Sequence, residues 1–587
     1  MIKSDVNTFQ GISRFRFVIL VVCFLLAVSA VFARAVYLQV INAPFLLRQG
    51  DARVVRTEAI PAHRGLIVDR NGIALAVSTP LKSIWVNPEA LLEDKAVSGK
   101  TQQIRQIAKA CNLVPEEFQK LLNKHRNKEF LYIKRGLAPQ EADRIIAQVE
   151  SGLYGATEYG RFYPAANVAA HVVGMTNIDE QGQEGLELAY NDWLAGKPGA
   201  KTVIRDLHGK RVKDLSLIKS ASAGNNLELS IDMRLQHIAY RELELAVKKH
   251  RANSGSMVIL DVESGEVLSM VNHPSFNPNN RAAMAAGNVR NLAVTDLFEP
   301  GSTIKAFTAA AALDSGKYDE NSLIETKPIY MNRKRIQDIH YYGTLNIEGI
   351  LTKSSNVGAS KLGIAVGPEA LNGFFGQIGL GQTTNSGFPG ERSGGLPVHV
   401  KWKNIDVATL SYGYGLSVTA LQLAHVYATL ANGGVSHPVS LIKLKEKPAG
   451  DRVIKQETAE KVVAMLESVV SRKGTASRAQ IEGYRIAGKT GTVHLLQRNE
   501  SAKNSYADNA YMSLFAGIAP AHKPKVAVVI VVKNPQGQEY YGGAVAAPIF
   551  ASVMKQALPL LDIRPDKPET KIEPPVLKVS DLSGATL

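Results

Sequence analysis

Ser302 and Lys305 stand three residues apart in Glu299-Pro300-Gly301-Ser302-Thr303-Ile304-Lys305, just ahead of the alanine-rich run Ala306 to Leu313. Glu-Pro-Gly is a start signal and the run after it is a strong helix former, so the spacing predicts a helix that Ser302 opens. One turn then puts the Lys305 amine on the face of the Ser302 hydroxyl. A serine hydroxyl is a poor nucleophile until a base takes its proton. Lys305 is the first candidate for that base. It must be neutral to act, and burial beside a second cation lowers a lysine pKa. The free N–H groups at a helix start also suit an oxyanion.

Two later motifs supply the remaining parts of an acyl-transfer machine. In Ser354-Ser355-Asn356, the Ser354 hydroxyl can relay a proton to the leaving group and Asn356 can hold a substrate amide. In Lys489-Thr490-Gly491-Thr492, Lys489 is the second cation, and the segment reads as a strand edge. Gly491 removes a side chain there, so an extended substrate can lie against Thr490 to Thr492 as an added strand. The N–H groups of Ser302 and Thr492 would form the oxyanion hole.

Similar spacings occur elsewhere by chance. Ser216–Lys219 and Ser440–Lys443 repeat the first motif, and Ser275–Asn277 the second. Ser440 has no Ser-x-Asn between it and Lys489. Ser216 lies in a polar stretch that reads as loop. Ser275 sits between Pro274 and Pro278, a poor helix site. Order and context therefore select Ser302, Lys305, Ser354, Asn356 and Lys489.

The elements that must position these groups follow from periodicity. Met257 to Leu260 and Val267 to Met270 flank Glu263-Ser264-Gly265 as a hairpin, and Leu514 to Ile518 and Val526 to Val532 read as two more strands. Strands at both ends with helices between argue for an α+β domain, residues 226–564, with one antiparallel sheet closed by its two termini. Asp232 caps a helix carrying Leu235, Ile238, Leu243 and Val247. Residues 41–225 have a different, mixed α/β texture. Arg64 to Gly72 reads as a short strand into an Asn-Gly turn, Ile104, Ile107, Ala108 and Cys111 have helical spacing, and Gly182 to Glu187 opens an amphipathic helix. No catalytic set is visible there, so this module is a spacer or docking domain. Residues 565–587 read as a tail.

Phe17 to Ala33 carries no charge and, with Tyr37 and Leu38, is long enough to cross a bilayer. Lys3, Arg14 and Arg16 precede it, which places residues 1–16 in the cytoplasm and the bulk of the chain outside. A cleaved signal peptide ending at Ala33-Arg34-Ala35 is the rival, and the length of the run favours an anchor over residues 17–38. The net charge of +15 over 587 residues fits a solvated basic surface near anionic lipid. No nucleic-acid motif accompanies it. Cys23 and Cys111 make no disulfide framework or metal set, and the chemistry asks for no cofactor.

The motifs and their surroundings resemble the class B penicillin-binding proteins, and within them the septal, FtsI-type D,D-transpeptidases. Phe298 to Lys305 resembles the family's nucleophile motif. Arg64-Gly65 through Gly72, Arg161-Phe162-Tyr163-Pro164, His171 and Gly182 to Glu187 resemble those of its N-terminal module, and Ser411-Tyr412-Gly413-Tyr414-Gly415 with Thr419 and Gln422 a stretch late in its transpeptidase domain. The resemblance implies a pedestal or dimerisation module and a β-lactamase-like penicillin-binding domain with helices on both sides of its sheet. It implies cross-linking of peptidoglycan stem peptides, with Ser302 attacking the penultimate D-alanine and a neighbouring amine taking the acyl group. It also implies acylation by β-lactams, and docking to an FtsW-type glycan polymerase and other division proteins at an inner-membrane septum. The alternatives are an elongation-specific sister enzyme, a D,D-carboxypeptidase or β-lactamase, for which Glu369 and Glu391 are positional candidates as deacylating groups, a β-lactam sensor, and a structural scaffold.

Overall fold

The computed structural model describes residues 13–92, 97–205, 211–280, 288–331, 334–498 and 504–567. The expected tails, 1–16 and 565–587, thus lie largely outside the described residues. Helix α1, Arg14–Val36, starts at Ser13, whose hydroxyl accepts the Arg16 N–H. A π-turn, Tyr37–Ile41, extends it to 28 residues, none of them buried. At 1.5 Å per residue this is about 42 Å, long and apolar enough to cross a membrane.

The chain forms two compact units that interleave in sequence, with α1 in the first. The first comprises 1–62, 80–159 and 197–222. Here β1 (Val55–Ile60), β2 (Gly199–Arg205) and β3 (Arg211–Lys219) make an antiparallel sheet in that order. Ser216, expected in a loop, lies on β3 opposite Thr202, because the polar stretch completes this sheet's edge. Ile104, Ile107 and Ala108 face inward from the helix Val97–Ala110 and, with Cys111 just beyond it, join Ile84, Phe118 and Leu122 in a small core.

The second unit comprises 63–79, 160–196 and 223–587, so segment 41–225 contributes to both. Within it Glu187, fully buried, accepts Arg64 Nε at 2.7 Å and Arg161 Nε at 2.6 Å. Asp69 takes the Asn71 and Ile73 N–H groups, both at 2.8 Å, and the Met233 N–H at 3.0 Å. Gly182 to Glu187, expected to open a helix, instead forms a short strand, Gly182–Glu184, and then a helical turn, Gly185–Ala189. Close approach explains this: a Cβ at Gly182 would sit 2.0 Å from the Glu187 carbonyl oxygen.

The catalytic part begins with α2, Met233–Lys249, capped by Asp232, which accepts the Arg234 N–H at 3.0 Å. Strands β4 (Ser254–Asp261), β5 (Val267–His273), β6 (Ala487–Arg498), β7 (Asn504–Ala519) and β8 (Val526–Lys533) form one antiparallel sheet in the order β5-β4-β8-β7-β6. The first hairpin pairs with the last strand, Ser254 opposite Lys533 and Asp261 opposite Val526. β8 is central, which accounts for its unbroken apolar run. β6 is an edge. Between β5 and β6 the chain forms α3 (Lys305–Asp314), α4 (Ile347–Lys353), α5 (Asn356–Val366), α6 (Ala420–Ala431) and α7 (Gln456–Val470), and α8 (Gly542–Leu560) ends the domain. α8 has the length of a membrane span, but half of it is buried, and its Phe550 ring packs edge-on against Phe515 of β7. It is a core helix.

Candidate active site

Ser302 sits on a 3-10 turn, Gly301–Ile304, that feeds directly into α3. The sequence predicts one helix from Ser302; the structure tightens its first turn. Pro300 precedes the turn, the Thr303 hydroxyl returns to the Pro300 carbonyl at 2.7 Å, and the buried Tyr427 hydroxyl from α6 donates to the Thr303 carbonyl at 2.7 Å. Gly301 N–H donates to the Gly413 carbonyl at 3.0 Å. Gly413 must be glycine: its φ is +91°, and a Cβ there would lie 2.0 Å from the Gly301 carbonyl oxygen. The Ser-Tyr-Gly-Tyr-Gly segment is thus the cradle of the nucleophile turn. Ser302 is half-buried, and its hydroxyl makes no hydrogen bond among the described residues.

Lys305 is buried at the start of α3, and its Nζ meets Ser354 O at 2.5 Å, Asn356 Oδ1 at 2.7 Å and Ser354 Oγ at 3.2 Å. Two of these partners are obligate acceptors. A neutral amine satisfies both with its two N–H groups and keeps its lone pair for a hydroxyl proton. The environment favours that state. Burial, then the nearby Lys489, pull the Lys305 pKa well down, and Asp338 opposes them.

Lys489 is also fully buried, on β6. Its Nζ donates to Ser354 Oγ at 3.0 Å and to the Thr490 carbonyl at 3.2 Å. Burial alone lowers its pKa to about 7. The sequence reads Lys489 as a standing cation; in this pocket its ammonium form is disfavoured, because the amine is taken fully out of water.

Ser354 bridges the two lysines from the C-cap of α4, in a left-handed conformation with φ 55° and ψ 43°. Ser355 caps α5, its Oγ accepting the Gly358 N–H at 2.9 Å. Asn356 spends Oδ1 on Lys305, which leaves Nδ2 as a donor for a substrate carbonyl. Asp338 holds this corner: it accepts Ser355 Oγ at 2.5 Å, Asn356 N–H at 2.6 Å and Val357 N–H at 3.1 Å. Sequence reasoning missed Asp338. It precedes the motif by a short strand and all of α4, and no spacing rule ties it to a helix start so far downstream.

The edge strand departs from expectation in its details. Thr490 Oγ1 shares a 2.8 Å hydrogen bond with Thr475 Oγ1, and Thr492 Oγ1 accepts the Gly542 N–H at 3.0 Å. Both hydroxyls are therefore engaged within the protein. Gly491 is a glycine because a Cβ would press on the Pro300 carbonyl oxygen at 3.1 Å and on Leu514 at 3.1 Å. It lets the strand close onto the nucleophile turn. Glu391 is tied into its own loop by the Thr384 and Ser386 hydroxyls, each at 2.7 Å, and Glu369 is exposed on another helix. Neither carboxylate contacts Ser302, Lys305 or Ser354.

A serine on a buried helix-start turn, two depressed lysines sharing a serine hydroxyl, and an open sheet edge define an active-site serine acyl-transfer fold. The chain belongs to the penicillin-binding protein transpeptidase family: the family model described as "Penicillin binding protein transpeptidase domain" matches residues 255–555. The "Penicillin-binding Protein dimerisation domain" matches residues 59–229. The chain is 42% identical over 551 residues to the peptidoglycan D,D-transpeptidase FtsI of Escherichia coli strain K12, covering 94% of this chain and 92% of that one. It is 41% identical over 554 residues to the probable peptidoglycan D,D-transpeptidase PbpC of Pseudomonas aeruginosa, covering 94% and 96%. The crystal structure of penicillin-binding protein 3 from Mycobacterium tuberculosis, complexed with aztreonam, superposes with a TM-score of 0.66 at 28% identity, covering 87% of this chain and 99% of that one.

Proposed function

We propose that this chain is a membrane-anchored peptidoglycan D,D-transpeptidase that cross-links stem peptides through an acyl-Ser302 intermediate. The observation that carries the reading is the buried lysine pair on Ser354. Neutral Lys305 takes the Ser302 proton as the hydroxyl attacks the carbonyl of the penultimate D-alanine. The backbone N–H groups of Ser302 and Thr492 take the oxyanion. Ser354, between Lys305 and Lys489, carries a proton to the departing D-alanine nitrogen, and Asn356 Nδ2 and the Thr490–Thr492 edge align the donor peptide. A neighbouring stem peptide's neutral amine then attacks the acyl carbon and gives a proton to Lys305, which returns it to Ser302 Oγ as the ester bond breaks. β-Lactams acylate the same serine.

The septal assignment draws support from the similarity to FtsI across nearly the whole chain. In this reading α1 crosses the inner membrane with its N-terminus in the cytoplasm, and the module before residue 226 docks an FtsW-type polymerase and other division proteins. The deciding experiment is intact-mass analysis after benzylpenicillin treatment. One penicilloyl adduct is expected, absent in Ser302→Ala. An adduct that survives this substitution or maps to Ser216 would overturn the assignment.

A further inference from the structure

Past Thr492, β6 continues along a cleft of about 350 Å³ that the acylation machinery leaves unused. Its walls include Asn253, Glu299, His494, Met512, Lys533 and Asn534. The volume falls in the range of small-ligand sites. The cleft lies against Leu297 to Glu299, the residues that lead into the nucleophile turn. A Cβ on Gly301 would lie 3.0 Å from Val493 Cγ1, so the turn and the strand are in direct contact, and Glu299 is two residues before Gly301.

Glu299 is half-buried. Its carboxylate accepts the Gly415 N–H at 2.9 Å and the Tyr506 hydroxyl at 3.0 and 3.2 Å. Both donors are neutral, and no lysine or arginine pairs with Glu299 among the described residues. A carboxylate held in place by neutral donors, partly out of water, keeps its attraction for a cation. The opposite charge also lines the cleft. Lys533 reaches its nearest carboxylate, Asp296, only at 3.9 Å, and the Asn534 side-chain oxygen is buried without a partner.

We propose that this cleft is the subsite for the acyl acceptor, in which Glu299 draws in the ammonium of the incoming amine and takes one of its protons, so that the neutral amine attacks the acyl carbon and gives a second proton through Lys305 to Ser302 Oγ as the ester bond breaks, while Lys533 faces a carboxylate on the same head. The acceptor class is therefore a zwitterionic amino-acid end, not a bare alkylamine. The inference rests on the acyl-transfer reading above and adds the second substrate to it. Donor and acceptor approach along one edge strand, the donor over Lys489 to Thr492 and the acceptor beyond Thr492, and they meet at Ser302.

The test uses the full chain in detergent with a soluble D-alanyl thioester as donor, and D-alanine or propylamine as acceptor. The readout is the ratio of aminolysis to hydrolysis of the acyl-enzyme, with benzylpenicillin acylation measured in parallel. Glu299→Gln should lower the D-alanine ratio about tenfold, the effect of losing one charge-assisted bond. Lys533→Met should lower the ratio for D-alanine and leave that for propylamine unchanged. An unchanged ratio in Glu299→Gln, or equal effects of Lys533→Met on both acceptors, overturns the subsite while penicillin acylation still upholds the acyl-transfer reading. Failure of the unaltered chain to form a penicilloyl adduct removes that reading itself.

Discussion

Ser354 Oγ lies 3.0 Å from Lys489 Nζ, and the backbone that presents it is left-handed, with φ at 55°. A non-glycine residue in this region costs about 1–2 kcal/mol. The conformation ends α4 and turns the chain at once into α5, so one residue closes a helix and sets a hydroxyl between two amines. The strain lies at the residue that the proposed mechanism uses as its proton relay.

Stability and activity should therefore separate at this position. Ser354→Ala keeps the strain and loses the relay. Ser354→Gly relieves the strain and loses the relay. Both should acylate with benzylpenicillin on the order of 100-fold more slowly. The glycine variant should be the more stable of the two, by up to about 1 kcal/mol, read from thermal midpoints. Equal acylation by parent and variants would remove Ser354 from the proton path.

Lys489 should destabilise the fold it serves. Its pKa falls from 10.5 to about 7 on burial. Between those values the unfolded chain binds more protons, so the parent gains stability as pH rises, and below about 7 it bears the full cost of a buried charge. Lys489→Met should be more stable by on the order of 1–4 kcal/mol at neutral or lower pH, with the gain fading towards pH 10.5, and should lose acylation. Thermal midpoints across this range check the sign. A destabilised methionine variant would show that the amine's hydrogen bonds outweigh its desolvation.

The contrast between the two lysines shows what was legible. Ser302, Lys305, Ser354, Asn356 and Lys489 could be named from order and spacing because each sits on a regular element whose start or period is written locally. The sheet was legible for the same reason: its central strand Val526–Lys533 is an unbroken apolar run, and its hairpin carries a turn signal. What could not be read depends on distant backbone. Asp338 acts on Ser355, Asn356 and Val357 only because a loop folds back. Gly413 is required by the Gly301 carbonyl more than a hundred residues earlier. The pKa of Lys489 is a property of the closed pocket and not of its motif. The close approach of Gly491 to the Pro300 carbonyl is likewise absent from its motif.

Asp338 offers a direct check of that hidden layer. It caps α5 through two N–H groups and the Ser355 hydroxyl. Asp338→Ala should cost about 1–2 kcal/mol of stability, as for a lost helix cap. It also removes the one charge that raises the Lys305 pKa. Lys305 should then stay neutral to lower pH, so the acidic limb of the acylation rate should shift downward while the plateau falls with the loosened Asn356. A plateau and limb both identical to the parent would make Asp338 a bystander.

The segments that residues 41–225 send into the catalytic unit make the last prediction. Glu187 is the sole anion bonded to both Arg64 and Arg161 among the described residues, and both terminal nitrogens of Arg161 are buried without partners. Removing one member of such a set leaves uncompensated buried charge, whereas replacing the whole set by apolar groups need cost nothing. Glu187→Gln should therefore lower stability by about 3–5 kcal/mol, with the thermal midpoint falling several degrees. The protein that remains folded should be acylated by benzylpenicillin at the parental rate, since no member of the set touches Ser302, Lys305, Ser354 or Lys489. The triple change Arg64→Met, Arg161→Met, Glu187→Leu should recover most of the loss. If Glu187→Gln is neutral, the arginines have water or other partners and the set is not the clasp of this unit. If acylation falls in step with stability in the single variant and returns in the triple, the clasp also sets the geometry of the nucleophile turn, and the division between a catalytic part and a merely supporting one fails at this point.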